Sequence, residues 1–439
     1  MGHHSINPEK AYKLFAERLD RNVTGAPDSP SLRRILSLLF TPEDVELARH
    51  VPTRLTTVAS LAARLGMPGD ELDGRLTELA RKGLVFDIRK GDARYVSLAP
   101  VVVGFFELTF MRGGADLPMK ELSELFEAYF QEGEGDFARA VFGGSTQIGR
   151  ALVREAALPQ GDHVEVLDWE RASWVVDVAE SRAVSTCACR HHAEHLSRAC
   201  DAPRRVCLSF GTGADALVRT GHAERVDRAE ARRILREAQD AGLMQTGDNV
   251  KRKVGYICNC CGCCCGMLRS ARQFSLPHAI VTSNWIMDVD ELRCSGCGLC
   301  EKACPAGAIA IREEGSVPGQ RPKKTAHRDE GLCLGCGVCV GSCKRGALAM
   351  SAREKRVFTP ETTFERYVAM AVERGKLGDL LLDDPGDLPS QALGRVVKVL
   401  ESLPPWKAVV AVEPLRSAFL TAFFSGVRPL ARASAQLLG

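Results

Sequence analysis

The sequence lacks the long apolar segments that mark membrane and secreted proteins. No part of the 439 residues reaches the roughly 18 uninterrupted apolar residues that a membrane-spanning helix needs. The N-terminus, "MGHHSINPEKAYKLFAERLD", contains no apolar stretch resembling the core of a signal peptide. We therefore expect a cytoplasmic protein without a membrane span.

Strong net charge and the common catalytic patterns are also missing. The net charge is +3, which is too small to indicate nucleic acid or a membrane as a partner. We find no Ser-His-Asp set, no phosphate-binding loop and no paired carboxylates. The glycines of "SFGTGADAL", residues 209–217, do not have the spacing of a dinucleotide-binding fingerprint. No residue can therefore be named as catalytic.

Cysteine, in contrast, is abundant and clustered. The chain has 18 cysteines, and "CNCCGCCCG" places six of them within eight positions, Cys258 to Cys265. In a reducing compartment such clusters indicate metal ligands rather than disulfides.

The clearest pattern is a repeated C-x2-C-x2-C-x3-C motif, in "CSGCGLCEKACP" and "CLGCGVCVGSCK". Three close thiolates can bind three irons of a [4Fe–4S] cluster, while the fourth cysteine of each motif reaches the other cluster. Zinc sites also use C-x2-C pairs but do not require this duplicated spacing. We predict two clusters with ligands exchanged between the motifs: Cys294, Cys297, Cys300 and Cys343 for the first, and Cys333, Cys336, Cys339 and Cys304 for the second.

Residues 290 to 350 resemble the bacterial two-cluster ferredoxins. Pro305 follows the last cysteine of the first motif, as in that family, whereas Lys344 replaces the proline usual after the second. The segment between the motifs, "REEGSVPGQRPKKTAHRDE", is longer than in the shortest members, so we expect an inserted surface loop.

Ten cysteines remain outside these motifs. We predict that four of them bind a third [4Fe–4S] cluster: Cys187, Cys189, Cys200 and Cys207. Four of the remaining six are expected to bind a fourth or less regular cluster: Cys258, Cys260, Cys261, Cys263, Cys264 and Cys265. Spacing does not decide which four, and a zinc site or reactive free thiols are the competing interpretations.

Charged groups lie beside these cysteines. His191, His192 and His195 follow Arg190, and we interpret all four as surface groups or neighbours of an anionic cluster rather than ligands. Basic segments at 250–254, 321–324 and 353–356 could attract an acidic partner protein.

The N-terminal pattern is helix, helix, helix and then a hairpin around Gly91 and Asp92, the order of a winged helix-turn-helix. The second helix of the helix-turn-helix, which would contact the DNA bases, carries Asp70, Glu71 and Glu78, and these negative charges disfavour DNA as a partner.

The whole arrangement resembles a family of 4Fe–4S dicluster-domain proteins. The resemblance rests on the N-terminal module, the "CACR" and "CNCCGCCCG" segments and the ferredoxin motifs. The resemblance implies a redox role and indicates no substrate.

These patterns predict an α+β, predominantly helical, multidomain protein. The expected units are a winged-helix-like module with a leading helix (1–100), a helical connector (101–180), a cysteine-rich metal-binding region (181–270), a 2[4Fe–4S] ferredoxin domain (285–352) and a helical C-terminal region (355–439). The predicted function is electron transfer: a multi-cluster ferredoxin-like subunit that relays single electrons between redox partner proteins. The alternatives are an iron–sulfur oxidoreductase with a catalytic cluster in the central region and a redox-sensing winged-helix regulator.

Overall fold

The computed structural model describes residues 7–112, 117–159, 167–314, 323–383, 388–404 and 406. Helices and strands both occur throughout these ranges, which confirms the α+β class in general terms. Among these residues, no helix combines the length and apolar character needed to cross a membrane.

Residues 7–100 form helices followed by a hairpin. Asn7 and Thr41 each accept a hydrogen bond from a backbone N–H of the helix that follows, and a proline begins both helices, as the sequence predicts. The elements are α1 (Pro8–Asp20), α2 (Pro30–Leu39), α3 (Pro42–Ala48), β1 (Thr56–Thr57), α4 (Val58–Leu65), α5 (Gly69–Arg81), β2 (Val85–Lys90) and β3 (Ala93–Leu98).

The hairpin forms one side of a small sheet. β2 and β3 pair antiparallel, and β1 adds to the other edge of β3. Leu72, Leu76 and Leu79 of α5 are fully buried, because a spacing of three and four residues places them on one helix face. The helices and the hairpin thus lie where the sequence predicts them, whereas the name winged helix remains a prediction.

The connector is less helical than predicted. It contains α6 (Phe106–Arg112), α7 (Met119–Gln131), α8 (Asp136–Phe142), β4 (Gly149–Ala151) and α9 (Ala172–Val178). The sequence "STQIGRALVREAAL", residues 145–158, has an amphipathic pattern that predicts a helix. This prediction is wrong, because β4 pairs with a strand of the central sheet and residues 151–153 are all buried. A stretch buried on both faces has neither helical nor strand periodicity. The strand predicted from "HVEVLD" falls mostly outside the described residues.

The central region forms a six-stranded sheet with helices against it. Its elements are β5 (Arg182–Thr186), α10 (Ala188–His195), β6 (Arg205–Phe210), α11 (Gly211–Arg219), β7 (Glu224–Arg225), α12 (Arg228–Asp240), β8 (Met244–Asp248), β9 (Tyr256–Cys260) and α13 (Gly266–Gln273). The strand order is β4-β8-β9-β6-β5-β7, and every paired neighbour is antiparallel. This order places β9, β6 and β5 side by side.

The ferredoxin-like region follows as two antiparallel pairs and two short helices. The elements are β10 (Trp285–Val289), α14 (Leu299–Ala303), β11 (Ile309–Glu314), β12 (Lys323–Arg328), α15 (Val338–Ser342) and β13 (Leu348–Ala352). β10 pairs with β13, and β11 with β12. Both strands of the second pair take residues from the segment between the motifs, and the surface loop predicted there falls mostly on residues 315–322, which lie outside the described residues.

The last helices pack against the beginning of the chain. They are α16 (Thr363–Arg374), α17 (Leu377–Leu382) and α18 (Leu388–Ser402). Val368 to Val372 join the hydrophobic core of the N-terminal helices, and the Arg18 guanidinium lies 2.6 Å from the Asp383 carboxylate in a buried ion pair. The helix predicted over 405–426 lies outside the described residues except for Trp406.

Candidate metal centres

The two ferredoxin motifs lie in tight loops that lead into short helices. Gly298 and Gly337, in the left-handed conformation, precede α14 and α15. Gly335 has a second constraint, because a Cβ there would lie 2.0 Å from the carbonyl oxygen of Trp285. The second loop therefore packs directly on β10.

The fold brings the eight motif cysteines together in two groups of four. One small cavity is lined by Cys294, Cys297, Cys300 and Cys343, and a second by Cys304, Cys333, Cys336 and Cys339. Each group takes three cysteines from one motif and one from the other, which is the grouping that the exchanged assignment requires. The sulfurs of Cys304 and Cys343 accept hydrogen bonds from the backbone N–H groups of Ala308 (3.2 Å) and Ala347 (3.3 Å).

The two groups differ in their contact with solvent. Cys297 of the first group is exposed, whereas Cys333, Cys336 and Cys339 are buried. The second loop is covered by the connector: the backbone N–H of Arg154 donates to the Cys336 carbonyl oxygen at 3.0 Å. Burial raises the pKa of the Cys336 thiol to about 12. The first group is therefore the outer site and the second the inner site.

The central cysteines are assembled by the register of the sheet. β6 and β9 pair Leu208 with Ile257, so Cys207 and Cys258 meet across the two strands. Cys260 lies on the same face as Cys258, two residues along β9. Asn259 points to the other face, where its side-chain amide donates to the Val206 carbonyl oxygen at 2.6 Å.

Six of the ten central thiols form a closed ring. Each thiol lies close enough to two others to shift their pKa, and every one of them lines a cavity of about 330 Å³. The order around the ring is Cys187, Cys189, Cys265, Cys260, Cys258, Cys207 and back to Cys187. Three members come from the segment 187–207 and three from the segment 258–265, and each segment supplies one C-x-C pair.

The surroundings of the ring favour negative charge. Cys187 and Cys265 are the N-caps of α10 and α13, so both helix N-termini, with their free N–H groups, meet the ring. Neighbouring thiols lower the pKa of Cys187, and those of Cys258 and Cys265 lower the pKa of Cys260 to about 6, whereas neighbouring thiols and burial raise the pKa of the other four ring members. Thiolate is the form that binds metal.

Arg190 supplies the countercharge. Its side chain is fully buried, so of the two predicted alternatives it is not a surface group. Nη2 donates to the Asn259 carbonyl oxygen at 3.1 Å, while Nε and Nη1 have no hydrogen-bond partner among the described residues. The guanidinium faces the sulfurs of Cys187, Cys207 and Cys261.

The other four central thiols form a separate group. Cys200, Cys261, Cys263 and Cys264 place all their sulfur atoms within 4.8 Å of one another. The structure therefore does not group Cys200 with Cys187, Cys189 and Cys207. α10, about 12 Å long, and the residues after it separate Cys200 from Cys189, although Cys261 and Cys264 of the second group also line the cavity of the ring.

Two of the three histidines contact the connector helices, and the third contacts one of these two. Nδ1 of His191 lies 2.7 Å from the Phe110 carbonyl oxygen, and Nε2 of His192 lies 3.0 Å from that of Ser123. His192 is buried, and burial lowers its pKa to about 4. His195 in turn lies 3.2 Å from His191 through their Nε2 atoms. The His192 ring packs against Phe106 and Phe110, so it is not a surface group.

The cavity beside the ring has apolar walls and two half-buried ionisable groups that the sequence analysis missed. Phe106, Met111 and Phe126 line it together with Glu107 and Tyr256. Burial raises the pKa of Glu107 to about 7, although its carboxylate accepts from the Gly104 N–H at 2.8 Å. Its signal in the sequence is a single acid within the apolar run "VVVGFFELTFM".

Comparison with known families gives one match. Residues 293–347 match the model of the 4Fe–4S dicluster domain. Comparisons with curated proteins and with solved structures give no match. This match indicates iron–sulfur cluster binding in the region that carries the two motifs, which is called the dicluster domain below.

Proposed function

We propose that this protein is an iron–sulfur electron-transfer protein that relays single electrons between redox partner proteins through several clusters. The observation that supports this best is the continuity of the cysteine sites. Cys260 and Cys265 of the six-thiol ring share one buried hydrophobic cluster with Cys300 of the outer site and Cys333 of the inner site. Short distances through packed protein between the cysteine sites favour transfer of an electron from one site to the next over its transfer to an oxidant in the solvent.

The donor set of the dicluster domain fits two [4Fe–4S] clusters. Each group offers four thiols, and backbone N–H groups donate to a sulfur in both groups. We assign Cys294, Cys297, Cys300 and Cys343 to the outer cluster, and Cys304, Cys333, Cys336 and Cys339 to the inner cluster. Bound there, a [4Fe–4S] cluster supplies one-electron chemistry, while the polypeptide sets its spacing and exposure.

The six-thiol ring is the proposed site of a further iron–sulfur cluster. The sequence suggested that Cys187, Cys189 and Cys207 would act with Cys200; the ring instead offers Cys258, Cys260 and Cys265 as their partners. Six thiolates exceed the four that a single cubane requires. The ring therefore suits a cubane with spare thiols or a larger cluster, and Arg190 offsets part of its negative charge.

The outer site is the proposed point of electron exchange with partner proteins. Cys297 is exposed there, and Lys344 and Arg345, beside Cys343, are exposed as well. A positive surface next to an exposed cluster speeds encounter with an acidic protein. By contrast, Lys251 and Arg252 of the basic segment 250–254 both form ion pairs with Glu361. This pairing neutralises part of their charge, so they attract an acidic partner less strongly.

Electron relay is tested with the full chain, purified anaerobically. Photoreduced deazaflavin serves as the one-electron donor and cytochrome c as the acceptor protein. We expect stepwise bleaching of the iron–sulfur absorbance on reduction and re-oxidation when cytochrome c is added. Clusters that accept no electron from this donor, or that do not pass it on, would contradict the relay.

A second candidate function is the reduction of a small apolar molecule. The supporting observation is the cavity of about 330 Å³, in which the thiol ring faces aromatic walls and Glu107. A carboxyl group whose pKa is about 7 holds a proton near neutral pH and can donate it to a reduced product. A cluster on the ring would take part of this volume, so only a compact substrate fits.

Turnover separates the two functions. With reduced methyl viologen as electron donor and a panel of small unsaturated compounds, a reductase consumes the viologen in a substrate-dependent way. Glu107→Gln should then slow turnover without lowering the iron content. Viologen consumption that does not depend on any added compound favours the relay alone.

A further inference from the structure

The four thiols outside the ring lie much closer together than a cluster would allow. All sulfur atoms of Cys200, Cys261, Cys263 and Cys264 are within 4.8 Å of one another, and those of Cys263 and Cys264 are 3.6 Å apart. A tetrahedral zinc ion with Zn–S bonds of about 2.3 Å holds its sulfurs about 3.8 Å apart. A [4Fe–4S] cluster places four irons and four sulfides between its thiolates, so it keeps them farther apart.

Two separate segments build this group. The turn 261–264 presents three thiols on one side, and the backbone N–H of Cys265 closes it by donating to the Cys261 carbonyl oxygen at 3.4 Å. The chain after α10 brings the fourth, Cys200, from about 60 residues away. A set that joins distant segments and closes all four positions is typical of a structural zinc site.

The turn also touches the dicluster domain. Gly262 packs against Pro305, next to the inner-site ligand Cys304, and a Cβ at Gly262 would lie 2.6 Å from the Pro305 carbonyl oxygen. Nη1 of Arg272 donates to the Gly262 carbonyl oxygen at 3.0 Å. Holding this turn in one shape therefore also holds the central region against the dicluster domain.

We propose that Cys200, Cys261, Cys263 and Cys264 bind one zinc ion, which joins the segment after α10 to the turn that packs on Pro305. The role is structural: four thiolates leave no open position for substrate. The site is separate from the proposed electron relay, because neither zinc nor its ligands change oxidation state there. The buried Arg190 guanidinium beside Cys261 offsets part of the negative charge of a tetrathiolate site.

Metal analysis of the full chain, purified anaerobically, tests the proposal. We expect about one zinc per chain in the native protein, and its loss in Cys200→Ser and Cys263→Ser with the iron content unchanged. Cys189→Ser is the matched control: it removes a ring thiol of the same segment and should retain zinc. Retention of the dicluster signals in electron paramagnetic resonance (EPR) shows that each variant has folded.

Cobalt substitution provides a second readout that does not depend on a variant. Protein produced with Co²⁺ in place of zinc should show the absorption bands of a tetrahedral cobalt tetrathiolate, and these should be absent in Cys263→Ser. The proposal is overturned if the native chain contains no zinc, or if Cys200→Ser and Cys263→Ser each lose about four irons.

Discussion

The eight cysteines of the dicluster domain and the ten of the central region build their sites in different ways. In the dicluster domain, three members of each group lie within seven residues of one another, and only the fourth comes from the other motif. In the central region, the six-thiol ring takes three thiols from each of two segments, which meet through the pairing of β6 with β9. The spacing of cysteines along the chain therefore determines the sites of the dicluster domain, whereas the register between β6 and β9 determines the six-thiol ring.

This difference is the reason why the sequence predicts the sites of the dicluster domain better than those of the central region. A repeated C-x2-C-x2-C-x3-C motif contains its own geometry, since each loop wraps a cluster locally. "CNCCGCCCG" contains no such information, because its members divide between two sites: Cys258, Cys260 and Cys265 join the ring, and Cys261, Cys263 and Cys264 face Cys200. The division follows the end of β9 at Cys260 and the turn after it.

The largest expected effect tests the exchange of ligands between the two motifs. Cys304→Ser should damage the inner cluster, whose other ligands belong to the second motif, and Cys343→Ser should damage the outer one. Each variant should lose up to about four irons, and EPR should show which cluster remains. If Cys304→Ser instead removed the outer cluster alone, ligation would be local to each motif.

The next effect concerns the contact between the two regions. Gly262→Ala should destabilise the protein by about 1–3 kcal/mol, because the added methyl group meets the backbone of Pro305. Gly266→Ala is the matched control, since a Cβ there meets nothing within 4 Å. Thermal unfolding at a fixed scan rate measures both, and equal midpoints for the two variants would show that the turn does not pack on Pro305.

A smaller, pH-dependent effect is expected from the cavity. The pKa of Glu107 is about 7 in the folded protein and 4.5 in the unfolded reference, so the folded state binds more protons between these values. Stability should therefore fall as the pH rises through this window, by about 2 kcal/mol between pH 5 and pH 8. Glu107→Gln should reduce the corresponding shift in unfolding midpoint, and the exposed Glu124→Gln should not.

The smallest effect concerns exchange with partners at the outer site. Replacing the exposed Lys344 and Arg345 by glutamine should slow reduction of the chain by an acidic ferredoxin several-fold at low salt, and by less at high salt. The matched control is Lys253→Gln, far along the chain in a basic segment whose neighbours pair with Glu361. If the rate of reduction at low salt were the same in the variant and the native protein, Lys344 and Arg345 would not be part of the surface that binds the partner.

The sequence predicts most helices of the N-terminal module, because caps such as Asn7 and Thr41 and the spacing of Leu72, Leu76 and Leu79 are local signals. It fails at 145–158, where Ala151 to Val153 are buried on both faces and lose any periodicity. The sequence also does not show that Cys200 and Cys189 belong to different sites, because the distance that α10 places between them exists only in the folded chain. Long-range pairing, which determines the central sites, leaves no pattern in residue spacing.

The most direct test of the six-thiol ring is the iron content of the full chain, purified anaerobically, with and without three of the ring thiols. The native protein should contain about twelve to sixteen irons, and the triple variant Cys187→Ser, Cys207→Ser, Cys258→Ser, which leaves fewer thiols than a cubane needs, should retain about eight with the EPR signals of both dicluster sites intact. About eight irons in both proteins would show that the ring binds no cluster.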